Sequence, residues 1–301
     1  MSGIVDIALI PALMLVGVAL QWAKLGLKAS HIELLILYFT FPILMFTEML
    51  NPSLGSLYLG GIVAVALVYL ILCFLASYGL SRGFSSRARG TIVFNSTFLN
   101  SMFLPFPLIY AFYGNLSVAL LFSLPIMIVH NTIGIFLASY WGSGRVGKKT
   151  MLQTLTFPPL LAFLAGLLAR PLLASFASST AFDALHGLGL LTVYLSLVLV
   201  GLSIPISRDS LFFFRNRVTG LITLNRMLVS PILALILIAV LNPIGIAKNT
   251  ILIMSLMPPA ITNLVIASKF GLDIRATSQS IFLPTLVSLG IIFALWFFAL
   301  I

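Results

Sequence analysis

The chain has 301 residues, of which 61% are hydrophobic and only 7% charged, and its mean hydropathy is +1.20. A soluble domain of this size must cover its exterior with polar side chains, and 16 basic plus 6 acidic residues cannot do that, so lipid is the solvent for most of the surface. Disorder, a secreted disulfide scaffold and an ordinary cytosolic enzyme are excluded on the same grounds. The single cysteine, Cys73, permits neither an internal disulfide nor a thiolate metal cluster. The formal charge of +10 is scattered in ones, twos and threes between apolar stretches, so nucleic acid is not an expected partner.

A hydrocarbon core of ~30 Å takes about 20 predominantly apolar residues to cross. In chain order, ten segments are predicted to do so: 5–23, 32–48, 57–80, 91–112, 116–140, 154–173, 186–206, 217–241, 250–268 and 277–300. Met1 to Asp6 has no basic n-region and carries an acid, so the first segment reads as a retained span and not a cleaved signal. The connections are too short to fold separately, which predicts one all-α integral membrane domain. An even number of spans puts both termini on one side. Lys24, Lys28, Arg82, Arg87, Arg89, Arg145, Lys148, Lys149, Arg208, Arg215, Arg217, Lys269 and Arg275 fall on one face and only Arg170 and Lys248 on the other. The basic face is cytoplasmic by the positive-inside rule, so both termini of this multi-pass cell-membrane protein are expected outside.

Helix-breaking residues are placed symmetrically. The fourth segment reads Asn95-Ser-Thr-Phe-Leu-Asn100-Ser-Met-Phe-Leu-Pro105-Phe-Pro107, and the ninth Met257-Pro258-Pro259-Ala-Ile-Thr262-Asn263. Each is fourth in its group of five and is broken by two prolines near asparagine. Pro11 in the first segment faces Pro158 and Pro159 in the sixth more weakly. Since five is odd, the second group enters the membrane from the opposite side. Residues 1–141 and 154–301 are therefore expected to be inverted five-helix repeats joined by a cytoplasmic connection at 142–153, and paired broken segments point to a transporter binding site. The simpler account is that the prolines only kink helices and the asparagines only patch the lost hydrogen bonds.

Broken backbone survives in lipid only where protein buries it or a wet cavity solvates it. Half-helix amino ends meeting there would favour an anion, and free carbonyls a cation. Asn95, Asn100 and Asn263 add neutral donors and acceptors. The six acids all lie at span ends or in loops, so no mid-membrane carboxylate is available for proton antiport. His130, beside Asn131 in the fifth segment, is a candidate coupling group, although a histidine bonded to a neighbouring helix is the plainer reading. Arg226, beside Asn225 in the eighth, either snorkels, pairs structurally, or meets a substrate carboxylate. No HExxH, GxSxG or P-loop occurs, so no enzyme activity, cofactor or metal is expected.

These segments resemble the auxin efflux carrier family, which includes plant auxin carriers and microbial malate and malonate permeases. Asn100 stands seven residues before Pro107, followed by Leu108, Ile109 and Tyr113-Gly114, similar to the family's Asn to Ile-Pro-Leu-Leu to Tyr-Gly run. Met257-Pro258-Pro259-Ala260 and Ala267-Ser-Lys-Phe270-Gly271 are similar to the microbial Met-Pro-Thr-Ala and Ala-Glu-Arg-Tyr-Gly. Phe41-Pro42-Ile43-Leu44-Met45-Phe46, Leu199-Val-Gly201-Leu202, and Arg226 five residues before Pro231 extend the likeness along the chain. Two positions depart from it: Pro105 replaces a glycine, and the second-repeat asparagine falls on Thr262, with Asn263 one place later.

The resemblance implies ten spans with crossing broken helices, as in sodium/proton-antiporter-like and bile-acid-symporter-like folds. It also implies a homodimer and elevator movement, with a scaffold from spans 1, 2, 6 and 7 and a transport unit from spans 3–5 and 8–10. The expected function is transport of a small organic anion (a carboxylate, auxin-like acid or dicarboxylate), with Asn100 and Asn263 or Thr262 binding it and Pro105, Pro107, Pro258 and Pro259 holding the half-helix ends. A sodium-coupled bile-acid-type symporter is the alternative, and an intramembrane enzyme or channel a more distant one.

Overall fold

The structure, a computed structural model, describes residues 2–23, 28–50, 56–142, 156–173, 175–204, 216–243 and 245–301. Lys24, Arg145, Lys148, Lys149, Arg208 and Arg215, and most of the expected connection at 142–153, lie outside the described residues. Among the described residues all regular structure is helical: α1 Ser2–Trp22, α2 Ala29–Leu50, α3 Ser56–Leu80, α4 Ser86–Thr97, α5 Pro105–Tyr113, α6 Ser117–Trp141, α7 Pro158–Ala169, α8 Thr180–Ser203, α9 Arg217–Leu241, α10 Ile246–Ser255, α11 Thr262–Phe270 and α12 Ile274–Phe297. Six of these, α2, α3, α6, α8, α9 and α12, contain stretches long and apolar enough to cross a membrane, and α1, α7 and α10 are shorter apolar helices.

Sequence chemistry explains the local departures from regular helix. π turns at Ile36–Thr40 in α2 and Asn225–Val229 in α9 each end two residues before a proline, Pro42 and Pro231. A proline ring clashes with the carbonyl four residues back and donates no hydrogen bond to it, and one wide turn relieves both problems. Pro158 and Pro159, set against Pro11 as helix interruptions in the sequence, instead occupy the first positions of α7. There the missing N–H has no intrahelical partner to lose. The seventh segment begins at Thr180, six residues earlier than expected, because Ser179 Oγ accepts the Phe182 N–H (3.2 Å) and caps the helix.

The chain divides into two compact units. The first comprises residues 1–62, 102–124 and 151–204, which hold α1, α2, α5, α7 and α8. The second comprises 63–101, 125–150 and 205–301, with most of α3, α4, the part of α6 from Pro125 onward, and α9 to α12.

Within the first unit, α1 packs on α8, and α2 on both α7 and α8. Glycines let these backbones touch. A β-carbon on Gly17 would stand 2.8 Å from the Leu202 amide, one on Gly189 2.8 Å from the Leu44 amide, and one on Gly166 2.7 Å from the Phe46 carbonyl. Apolar burial contributes nothing to helix association in lipid, so close backbone packing of this kind supplies the attraction. Gly17→Leu is accordingly expected to lower the melting temperature of the detergent-solubilised protein by several degrees, an overpacking cost of about 1–3 kcal/mol, whereas Leu15→Ala on the exposed side of the same helix should leave it unchanged.

Within the second unit, α9 packs on α4, α10 and α12, and the end of α6 packs on α4 and α11. Asp273 Oδ1 caps α12 at the Ala276 N–H (2.9 Å), and the Asp273 amide donates to Thr91 Oγ1 of α4 (3.0 Å).

Candidate functional site

The second unit brings the two breaks together. Helix α4 stops at Thr97, and Phe98 turns extended (φ −94°, ψ 98°). Helix α10 stops at Ser255, two residues short of Met257, whose backbone is steered away from helix by the proline that follows. The two extended breaks pair as a single antiparallel bridge, Leu99 opposite Pro259. The Asn100 amide donates to the Pro258 carbonyl at 2.7 Å, and the Ala260 amide to the Phe98 carbonyl at 3.0 Å. Pro259, which has no N–H, occupies the position of the bridge that needs no donor. The polar backbone released by each broken helix is thus partly satisfied by the other.

Asparagines staple the crossing. Asn263, fully buried near the start of α11, donates through Nδ2 to the Phe98 carbonyl (3.0 Å) and to Asn95 Oδ1 (3.2 Å). Asn95 in turn donates to the Thr91 carbonyl (2.9 Å) and to Thr277 Oγ1 of α12 (3.0 Å). One amide pair therefore connects α4, the first break, α11 and α12.

Arg226 is completely buried, so it does not snorkel. Its Nε and Nη2 donate to the Met257 carbonyl (2.9 and 2.7 Å), Nη2 also to the Ser255 carbonyl (3.2 Å), and Nη1 to the Ser96 carbonyl (3.3 Å). Tyr69 Oη lies 3.5 Å from Nη1 and bonds to Ser230 Oγ, which itself donates to the Ser255 carbonyl (2.7 Å). These carbonyls are the last turn of α4 and the end of α10, two helix C-termini that carry partial negative charge. Arg226 is thus paired with helix ends, and among the described residues no carboxylate lies within ion-pair distance of it.

Asn263 Oδ1, His130 Nε2 and Ser96 Oγ are buried here with no well-formed hydrogen bond among the described residues, although the Asn263 side chain and the His130 ring are neighbours. His130 lies in a π turn of α6, His130–Gly134, and stacks on Phe98 (centroids 4.7 Å apart, 22° between planes) beside Asn263. Gly134 makes room for that stack, since a β-carbon there would stand 2.9 Å from the Phe98 ring.

The expected residues thus divide. Asn95, Asn100, Pro258, Pro259, Asn263, His130 and Arg226 belong to the second unit and to this network, and half-buried Thr262 opens α11 beside it. Asn131 bonds back to the Met127 carbonyl of its own helix (2.9 Å). Pro105 and Pro107 stand in the first turn of α5, in the first unit. Sequence reasoning had no means of seeing Tyr69, Ser230 and the carbonyls around Arg226, because a backbone carbonyl carries no residue-type signal.

Paired interruptions stapled by amides, a buried guanidinium capping helix ends, and an apolar helical exterior define a membrane transporter. The family described as membrane transport protein matches residues 4–149 and 143–297. The chain belongs to this family, the auxin efflux carriers. It is 29% identical over 214 residues to an uncharacterized transporter of Methanocaldococcus jannaschii, covering 69% of this chain and 67% of that one. An uncharacterized transporter of Methanothermobacter thermautotrophicus is 25% identical over 270 residues, covering 87% and 86% respectively.

Proposed function

We propose that the protein carries a small organic anion, a carboxylate, by elevator-type alternating access as a homodimer of ten-span protomers built from two inverted repeats. The observation that carries this reading is the distribution of charge at the crossing. Arg226 answers the two carbonyl ends, so the amino end of α11, with Thr262 and Asn263, remains the positive pole toward which a carboxylate is drawn. Asn100, in the first break and 3% exposed, supplies polar contacts to the substrate. The grouping of α1, α2, α7 and α8 in one unit and α9 to α12 in the other supports a scaffold and a moving part, although α5 and the start of α6 fall with the first unit.

Uptake is sodium-independent in this reading. Carbonyl ends of broken helices are where transporters hold a coupling cation, and here Arg226 already occupies them with a permanent charge. A bile-acid-type sodium symport is disfavoured for that reason.

Thermal-shift screening against monocarboxylates, dicarboxylates and indole acids is expected to find a stabilising anion. Its uptake into proteoliposomes should saturate, persist when choline replaces sodium, and fall roughly 10- to 100-fold in Asn100→Ala while the variant still folds, the factor lost with one hydrogen bond to a charged group. Unchanged uptake in that variant removes Asn100 from the site. A strict sodium requirement overturns the role given to Arg226.

A further inference from the structure

A groove with two chemical halves lies in the second unit, where α11 ends and α12 begins. It is open, about 500 Å³ in volume, and lined by Leu264, Val265, Ser268 and Lys269 of α11 and by Ile274 at the start of α12. Helical spacing puts the four α11 residues on one face. Leu264 lies about 7.5 Å further toward the crossing than Lys269, at 1.5 Å per residue. The inner half of the groove is therefore apolar, and its outer half carries a hydroxyl and an ammonium. Val265, Ser268 and Lys269 are all exposed.

Positive charge collects at the outer half. The Lys269 ammonium sits 5.4 Å from the ring of its neighbour Phe270, and among the described residues no carboxylate pairs with it. Arg87, exposed at the start of α4, reaches the turn that follows α11 and donates through Nη2 to the Leu272 carbonyl (3.2 Å). Arg275, also exposed, stands in the first turn of α12. The acid of this stretch, Asp273, is engaged in capping α12 at the Ala276 amide.

Aromatic side chains give the depth of this cluster. Tyr78 and Trp141 lie together (centroids 6.4 Å apart), and the Arg89 guanidinium covers the Tyr78 ring at 3.8 Å. A β-carbon on Gly90 would stand 2.8 Å from the Trp141 ring and 3.3 Å from the Leu272 side chain, so Trp141 and the turn after α11 rest on the same point of α4. Tryptophan and tyrosine gather at the boundary between hydrocarbon and water, and long basic side chains extend from there to the headgroups. The Lys269 end of the groove thus stands at headgroup level, and the Leu264 end in hydrocarbon.

We propose that this groove binds one anionic phospholipid, with its phosphate at Lys269 and Ser268, Arg87 and Arg275 nearby, and the first part of an acyl chain along Leu264, Val265 and Ile274. The basic residues place this end of α11 on the side that the positive-inside rule assigns to the cytoplasm, where anionic lipids concentrate and basic pockets between helices hold their headgroups. A zwitterionic lipid would bring a cation of its own into the cluster, so headgroup charge selects the occupant.

The test is native mass spectrometry of the full detergent-solubilised chain with dioleoylphosphatidylglycerol or dioleoylphosphatidylcholine, alongside melting curves in each lipid. One phosphatidylglycerol per chain is expected to be retained saturably, at least roughly tenfold more tightly than phosphatidylcholine, with a raised melting temperature. Lys269→Gln should weaken it roughly fivefold, and Lys269→Gln combined with Arg275→Gln should bring the two lipids to parity. Both side chains are exposed, so these variants fold. Lys248→Gln, on the side opposite by sequence, should change nothing. Equal retention of both lipids, as in an ordinary lipid annulus, or an unaltered preference in the double variant would overturn the site. So would the same stabilisation by glycerol phosphate without acyl chains, or a Lys269-dependent dimer in place of lipid binding.

Discussion

Arg226→Met is expected to abolish transport and to yield little monodisperse protein. The substitution keeps an apolar stem of similar length but leaves the carbonyls of Ser96, Ser255 and Met257 without the guanidinium that joins them. The Ser255 carbonyl keeps the Ser230 hydroxyl, but each of the other two, left unsatisfied, costs about 1–3 kcal/mol, together a large part of the stability of a typical domain, about 5–15 kcal/mol. Arg226→Lys separates charge from geometry. An ammonium restores the positive charge but lacks the planar fork that reaches both helix ends, so it should recover folding in part and transport less. Melting curves and size-exclusion profiles of the two variants check this. Wild-type stability in Arg226→Met would show that the carbonyl ends do not need the cation.

Asn263→Ala is expected to reduce uptake at least roughly tenfold and to destabilise the second unit by about 2 kcal/mol, because it removes two buried donors and strands Asn95 Oδ1. Asn95→Ala removes the same amide pairing from the other side, together with the bond to Thr277. If the pair acts as one staple, the double variant is little worse than either single one, with a coupling of about 1 kcal/mol or more in a double-mutant cycle. Additive effects would mean that each asparagine works alone.

Parts of this site were legible in residue order. Two prolines each at 105–107 and 258–259, with asparagine nearby, mark interruptions because proline's missing donor acts on its immediate chain neighbours. The identity of Arg226's partners was not legible, since they are main-chain carbonyls from segments 130 and 31 positions away. Pro158 and Pro159 show the reverse case: the same residue type at a helix start interrupts nothing, and only the placement of α7 reveals which role applies. Glu48 and His186, 3.9 Å apart in the first unit, lie 138 positions apart in sequence, and the start of α8 at Thr180, set by the Ser179 cap, puts His186 inside a helix with a fixed direction.

Sequence alone therefore determined the solvent, the all-helical class and the family, because hydropathy and proline chemistry are properties of residues and their near neighbours. The tertiary structure decided which polar groups meet: the Leu99–Pro259 bridge, the Asn95–Asn263 staple, the cation on the helix ends, and the carboxylate facing the imidazole. Hydrogen bonds and electrostatics act over a few ångströms in space, and distance along the chain does not encode them.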